Sequence, residues 1–251
     1  MTATPARFGF RALVTRPRAE AEGLARALAE RGIEAIVEPL LDIHYRDGPA
    51  PDLAGVQAIL CTSANGVRAL ARLSPERELP VFAVGEATAA RARAERFTRV
   101  ESADGNVEDL ARLVGDRLRP ESGRLCHAAG SDVAGDLAGM LRDHGFAVDR
   151  TVLYEARPAV ALSAAAVRAL GAGIVDFVLL FSPRTAAIFL SLAERAELAD
   201  VLRTVTAVSI STAADAALGG AIFRERRIAE APTQAALLST LDHIFAKRRH
   251  A

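Results

Sequence analysis

Short apolar runs alternate with stretches of helical period along the whole chain, which predicts a parallel α/β fold. The run "RALVTRP" precedes "AEAEGLARALAERG", in which Ala21, Leu24, Ala25 and Leu28 fall on one helix face. Likewise "RLCHAAG" leads into "DVAGDLAGMLRDHG", where Val133, Leu137, Met140 and Leu141 are similarly placed. Each predicted helix ends at a glycine, Gly32 or Gly145, where a left-handed cap would sit. Each is followed by another extended run, "IEAIVEPLLDI" or "FAVDRTVLYEA". The two units read as copies.

The remaining segments pair as well. "ILCTSANGVRAL" matches "VLLFSPRTAAIFL", aligning Ser63 with Ser182. "VFAVGEATAARA" matches "AVSISTAADAAL", aligning Gly85 with Ser211, and "VESADGNVEDLARL" matches "RIAEAPTQAALLSTL", aligning Asn106 with Thr233. The copy that opens with "RALVTRP" finds its other pieces after residue 170, and the "CTSAN" copy lies wholly between them. A duplicated domain in this order has one copy inserted into the other. The expected fold is two similar doubly wound parallel-sheet α/β domains, one discontinuous, joined by a two-stranded linker with an active-site cleft between them. Residues 1–38 and 160–251 would form the discontinuous domain and 44–152 the inserted one. The linker would be 39–43 with 153–159, two extended crossings able to pair as a hinge.

In such sheets ligands bind outside the carboxyl ends of the strands. Here those ends read Thr15-Arg16-Pro17, Thr62-Ser63, Gly85-Glu86-Ala87-Thr88, Asn106, Gly130-Ser131, Ser182-Pro183, Ser211-Thr212 and Thr233. Small polar residues directly before a helix cap it and leave free amides at the positive end of its dipole, a weak anion site. Such caps occur in any protein, and a single one carries no function. Several facing one cleft from two domains would.

Composition narrows the classes. Hydrophobic residues make up 51% of the 251, aromatics only 5%, and tryptophan is absent, so the core must be built from Ala, Leu and Val. The formal net charge of zero argues against a general nucleic-acid binder, which needs a basic excess. No apolar run approaches the roughly 20 residues of a membrane span, and "MTATPARFGFRALV" lacks the apolar segment of a secretory signal. With two cysteines, both in strand-like runs, a cytoplasmic protein without disulfides is expected.

Candidate chemistry is sparse. "ILCTSANGVRAL" stops a strand at two hydroxyls with no histidine or acid beside them to make a nucleophile. Cys126 and His127 are neighbours on a strand, point to opposite faces and read as structural. The five histidines show no ligand spacing, so no metal is expected. "VGEATA" has a single glycine and is not a phosphate loop, and the "KRRH" end suits the negative pole of a last helix or a solvated tail. Tyr154 lies in a crossing strand, where its ring can pack while its hydroxyl reaches the cleft, or it simply packs the hinge with a wet tip.

Taken in order, "LVTRP", "TSANGVRA", "VGEATA", "GNVEDLA", "VLYEARP", "FSPRTA" and "PTQAALL" resemble the uroporphyrinogen-III synthase family over essentially the whole chain. The resemblance implies a lyase that dehydrates hydroxymethylbilane, a linear tetrapyrrole with eight carboxylates, and closes it with ring D inverted. It implies an azafulvene and a spiro-pyrrolenine on the route, and no metal or organic cofactor. Tyr154 matches the family's tyrosine at the linker and is expected to be the catalytic group. Thr62, Ser63, Gly85, Thr88, Asn106, Glu108, Ser182 and Thr233 match substrate-binding positions, and Ser211 and the arginines Arg16 and Arg184 join them as expected contacts. Asn65 stands where some members carry arginine, and Ala214 where threonine can occur. Arg16, Arg157 and Arg184 either compensate or are solvated surface charges. The implied protein is a cytoplasmic monomer that binds neither nucleic acid nor membrane. The alternatives are a two-domain binding or sensor protein for an anionic small molecule, without catalysis, and an enzyme acting on sugar phosphates at the same strand tips.

Overall fold

The chain runs β1 (Phe10–Val14), α1 (Arg18–Ala29), β2 (Ile33–Val37), β3 (Leu41–Tyr45), β4 (Val56–Cys61), α2 (Ala64–Leu73), β5 (Val81–Ala83), α3 (Glu86–Ala94), β6 (Val100–Ser102), α4 (Val107–Arg117), β7 (Arg124–Gly130) and α5 (Leu137–Asp143). It continues through β8 (Val148–Pro158), α6 (Ala164–Gly171), β9 (Phe177–Leu180), α7 (Pro183–Arg195), β10 (Thr206–Ser209), α8 (Thr212–Ala216), β11 (Glu225–Ile228) and α9 (Gln234–Arg249). This is a computed structural model that describes residues 9–132 and 135–249. Val133 and the side chains of the "KRRH" end lie outside the described residues. The chain divides into two units, Met1–Asp42 with Pro158–Ala251, and Ile43–Arg157.

The first unit holds a sheet in the order β11-β10-β9-β1-β2, and its pairs are parallel. The second holds β3-β8-β7-β4-β5-β6, with parallel pairs from β8 to β6. Matching β7 and β8 to β1 and β2, and β4, β5 and β6 to β9, β10 and β11, makes the order of these five strands the same in both sheets, with β3 added at one edge of the second. The repeat legible in the sequence is therefore a repeat of sheet position. Each sheet reverses direction of winding between two central strands, β1 and β9 in one, β7 and β4 in the other.

Successive side chains on a strand point to opposite faces, so strands covered on both sides read as continuous apolar runs. In the first unit Leu13, Val178, Leu180 and Ala207 pack under α6 and α7, while Ala12, Val14, Phe177, Leu179 and Val208 pack under α1 and α9. In the second, Ala58, Leu60, Phe82 and Leu125 meet α4 and α5 on one face. On the other, Ile59, Cys61, Val81 and Ala128 meet α2 and α3.

Two expectations shift. The segment "IEAIVEPLLDI" is two strands, broken at Pro39, which has no amide to donate. Beside the break Glu38 is buried, and its carboxylate accepts Ser163 N and Ser163 Oγ, both at 2.6 Å. β3 then joins the edge of the second sheet beside β8. Backbone bonds from Arg46 N to Leu153 O and from Ala159 N to Leu40 O bracket that pairing and fix it as antiparallel. Helix α5 begins at Leu137, later than the expected start near Asp132. Gly135 takes φ +77° and the Asp136 side chain caps Gly139 N, which together set the later start. Gly32 and Gly145 hold the expected left-handed backbone, at φ +72° and +85°.

Candidate active site

The winding reversal of the second sheet places the carboxyl ends of β4 and β7 side by side. β4 ends in Cys61 and passes through Thr62 to Ser63, whose extended backbone (φ −154°, ψ 153°) caps α2. Ser63 Oγ accepts Gly66 N at 3.1 Å and lies 2.7 Å from Tyr154 Oη. The serine hydroxyl thus serves the helix start and the phenol at once. Because one lone pair is taken by the amide, its proton and second lone pair remain for the tyrosine.

Two glycines make this geometry possible. β7 and β8 slip register between Ala129 and Gly130, so that Gly130 pairs with Tyr154 and Leu153 is left as the extra residue. A Cβ at Gly130 would lie 2.7 Å from Tyr154 Cζ and 3.0 Å from its Oη, so only a bare backbone admits the ring. Gly66 permits α2 to press its first turn onto β7, since a Cβ there would land on the carbonyl oxygen of Ala128. The Tyr154 ring is otherwise set among Ile59, Cys61, Val67 and Ala128. Ser131 N donates to Tyr154 O at 2.9 Å, and Arg150 donates to the carbonyls of Gly130 and Ser131 at 2.7 and 2.8 Å. Sequence reading missed Gly66 and the role of Gly130. Their signal is a glycine opposite an aromatic residue or a backbone, which requires the register to be known.

On the other face of the same strands Thr62 Oγ1 lies 3.3 Å from His127 Nε2. His127 is 2% exposed, and its Nδ1 has no partner among the described residues. Burial, and then the positive charge of Arg150, push its pKa down to about 4. Both cysteines are free and buried, and burial raises both thiols.

The other expected contacts in this unit sit at the starts of α3 and α4. Gly85 opens α3, and Thr88 is buried in its first turn. Glu86 is exposed beside it and pairs with Arg93. Asn106 caps α4 in a closed box, its Oδ1 accepting Asp109 N and its own amide donating to Asp109 Oδ2. That backbone donor first, and Arg112 after it, hold the Asp109 carboxyl below its usual range. With Glu108 also in the first turn, this helix start already carries its own anions. Asn65 is buried, and Arg68 donates to its Oδ1 at 2.7 Å.

The remaining expected residues belong to the first unit. Ser182 and Thr185 form a capping box at α7. Ser211 caps α8, which is only five residues long, and Thr233 Oγ1 accepts Ala236 N at 3.2 Å. Arg16 follows β1, pairs with Glu20 at 3.0 Å, donates to Gln234 at 3.1 Å and stacks over Phe181. Arg184 lies in the first turn of α7, half-buried. Arg157 is exposed and paired with Glu155. The structure therefore brings Thr62, Ser63 and Tyr154 together at one sheet end and distributes the others over separate helix starts.

The family model described as uroporphyrinogen-III synthase HemD matches residues 22–239. Among solved structures, uroporphyrinogen-III synthetase from Helicobacter pylori is 18% identical, with a TM-score of 0.65 over 94% of this chain and 99% of that one. A mutant uroporphyrinogen III synthase from the extremely thermophilic bacterium Thermus thermophilus is also 18% identical, with a TM-score of 0.59 over 97% of this chain and 100% of that one. At that identity the two structures establish the fold. No curated protein sequence is significantly similar to the chain.

Proposed function

The chain belongs to the uroporphyrinogen-III synthase family, and from that membership we propose that the Ser63–Tyr154 pair is where it acts on hydroxymethylbilane. The family reaction removes water from the terminal hydroxymethyl group and closes the tetrapyrrole with ring D inverted, which makes the enzyme a cyclising lyase. Tyr154 is assigned the proton-transfer step. Its phenol donates to the departing hydroxyl, which leaves as water while the pyrrole nitrogen lone pair closes to the N-protonated azafulvene, and the phenolate left behind is the base that later takes back the pyrrole N–H proton. Ser63 Oγ–H then donates to the phenolate, and its short 2.7 Å approach suits that charge-assisted bond.

The electrophile and the attacking pyrrole carbon both belong to the substrate, so the protein has no need of an activated serine. Its larger task is to hold a flexible polyacid in the one shape that brings ring D's substituted carbon within bonding distance. Thr62, Gly85, Thr88, Asn106 and Glu108 of the second unit, and Arg16, Ser182, Arg184, Ser211 and Thr233 of the first, are proposed as substrate contacts. Helix-start amides grip carboxylates without a large basic excess, which fits a chain of zero formal charge. A monomer acting in the cytoplasm completes the reading, and the free thiols of Cys61 and Cys126 suit that compartment.

The observation that carries the assignment is the phenol–serine bond beside the β4–β7 winding reversal. The test supplies freshly made hydroxymethylbilane and identifies the isomer after oxidation. Type III product above the spontaneous rate supports the reading, and type I alone defeats it.

A further inference from the structure

We propose that His127 is a positioning residue that commits the Thr62 hydroxyl to donate outward, toward a carboxylate of the substrate. The inference deepens the reading above and rests on it. β4 and β7 are adjacent, with Leu60 and His127 as register partners, so both side chains point to the face covered by α4 and α5. Thr62 lies two residues further along β4, on that same face at the carboxyl edge, and its Oγ1 meets His127 Nε2 at 3.3 Å.

The tautomer follows from what surrounds the other nitrogen. Nδ1 is buried without a partner among the described residues. A proton there would leave an unpaired N–H in the interior, the rarer and worse defect, whereas a bare lone pair is better tolerated. The proton therefore sits on Nε2 and is donated to Thr62 Oγ1. A threonine oxygen that accepts on this side sends its own hydrogen elsewhere, and the strand end is the open direction, since Thr62 is only half-buried.

Folding alone does not ask for this arrangement. His127 has Leu60 and Arg150 as its register partners on the neighbouring strands, and the face it points to carries an apolar cluster that includes Leu60, Leu125, Leu137 and Leu141, so an apolar residue at 127 would leave no polar atom of its own unsatisfied. Burial and Arg150 keep the ring neutral across the working pH range, so the donor assignment does not switch.

The experiment has a part independent of turnover. Imidazole 15N NMR of the whole protein at pH 7 is expected to show His127 as the Nε2–H tautomer, and an Nδ1–H tautomer overturns the proposal. In steady state with hydroxymethylbilane, His127→Phe is expected to raise KM by about 3- to 10-fold, the scale of one weakened hydrogen bond, with kcat within about 2-fold. His127→Gln, whose amide N–H replaces Nε2–H, is expected to recover most of that loss. In a Thr62→Ala background His127→Phe should add nothing to KM. Effects that multiply, or a lowered Tm with KM unmoved, show a space-filling residue and overturn the proposal. A wild-type protein that yields only the type I isomer defeats the reaction assignment itself, a result separate from all of these, and takes the inference with it.

Discussion

Ser63 Oγ lies 2.7 Å from Tyr154 Oη while accepting the Gly66 amide, so one hydroxyl ties a helix start to a buried phenol. Removing only the phenol oxygen separates chemistry from packing. In Tyr154→Phe the ring keeps its place among Ile59, Val67 and Ala128, and the loss of one hydrogen bond costs about 1 kcal/mol of stability. Turnover to the type III isomer should fall by on the order of 10²-fold, the usual scale of general acid assistance, with KM nearly unchanged. Single-turnover assays with isomer analysis measure this. Unaltered turnover ends the assignment of Tyr154.

Gly130 is the complementary test, because it controls where the ring lies without touching the hydroxyl's chemistry. A methyl group at 130 would stand 2.7 Å from Tyr154 Cζ, and the strand pairing leaves the backbone little room to yield. Gly130→Ala is expected to lose about 1–3 kcal/mol through overpacking and to lower kcat along with Tyr154→Phe. Gly23→Ala, on an exposed position of α1 where a Cβ meets nothing within 4 Å, should instead gain about 0.5–1 kcal/mol. Urea unfolding and activity of both variants decide whether the glycine shapes the site.

What could be read from sequence divides along the line between local pattern and register. The near-continuous apolar runs within "RALVTRP" and "RLCHAAG" report burial on both faces, and both runs became central strands, β1 and β7. The permuted repeat was legible because equivalent strands end in equivalent caps, Ser63 and Ser182 among them. The pairing of Tyr154 with Gly130 was hidden, since a one-residue register slip decides it and leaves no periodic trace. His127 was read as structural because its neighbour Cys126 points away, but its partner Thr62 lies 65 residues back across a strand pair. The late start of α5 was missed because Gly135 and Asp136 override the helical spacing of the apolar residues around them.

The helix starts should not contribute equally. Asn106 closes a box with Asp109, and the first turn of α4 is acidic. Asn106→Ala is expected to cost about 1 kcal/mol of stability as a lost cap and, as a proposed contact, to raise KM for hydroxymethylbilane by only about 2- to 3-fold, because the acidic first turn of α4 weakens its grip on an incoming acid. Ser63→Ala loses a cap of the same size and also the partner of Tyr154, so its kcat should fall. Equal kinetic losses in the two variants would place substrate at α4 as firmly as at α2.

Neither thiol should matter to turnover. Cys61 is 1% exposed, and burial lifts its thiol well above the ordinary range. Cys126 is equally covered, and burial raises it too, against a weaker opposing bond to Thr151. The native protein should resist iodoacetamide at pH 8 and keep its activity, then take up two labels per chain after denaturation, matching its two cysteines. Fast native labelling with loss of activity would bring a thiol into the mechanism.

The same burial that fixes His127 makes stability depend on pH, with a sign that follows from proton counting. Its pKa falls from 6.5 to about 4 on folding, through desolvation first and Arg150 second. Between those values the unfolded chain binds the proton and the folded protein does not, so acid favours unfolding. Stability is complete above pH 6.5 and declines as pH drops toward 4. Over that interval of about 2.5 pH units, at about 1.4 kcal/mol each, the loss is on the order of 3 kcal/mol. Carboxylates such as Asp109 and Glu155, lowered on folding by their own partners, add a slope of the same sign at still lower pH. Comparing wild type with His127→Phe cancels that shared part. Urea unfolding at pH 7.5 and 4.5 should show the wild type losing about 2–3 kcal/mol more than the variant. Parallel losses would mean that His127 accepts its proton inside the fold, and a ring charged there could no longer hold Thr62 through one fixed tautomer.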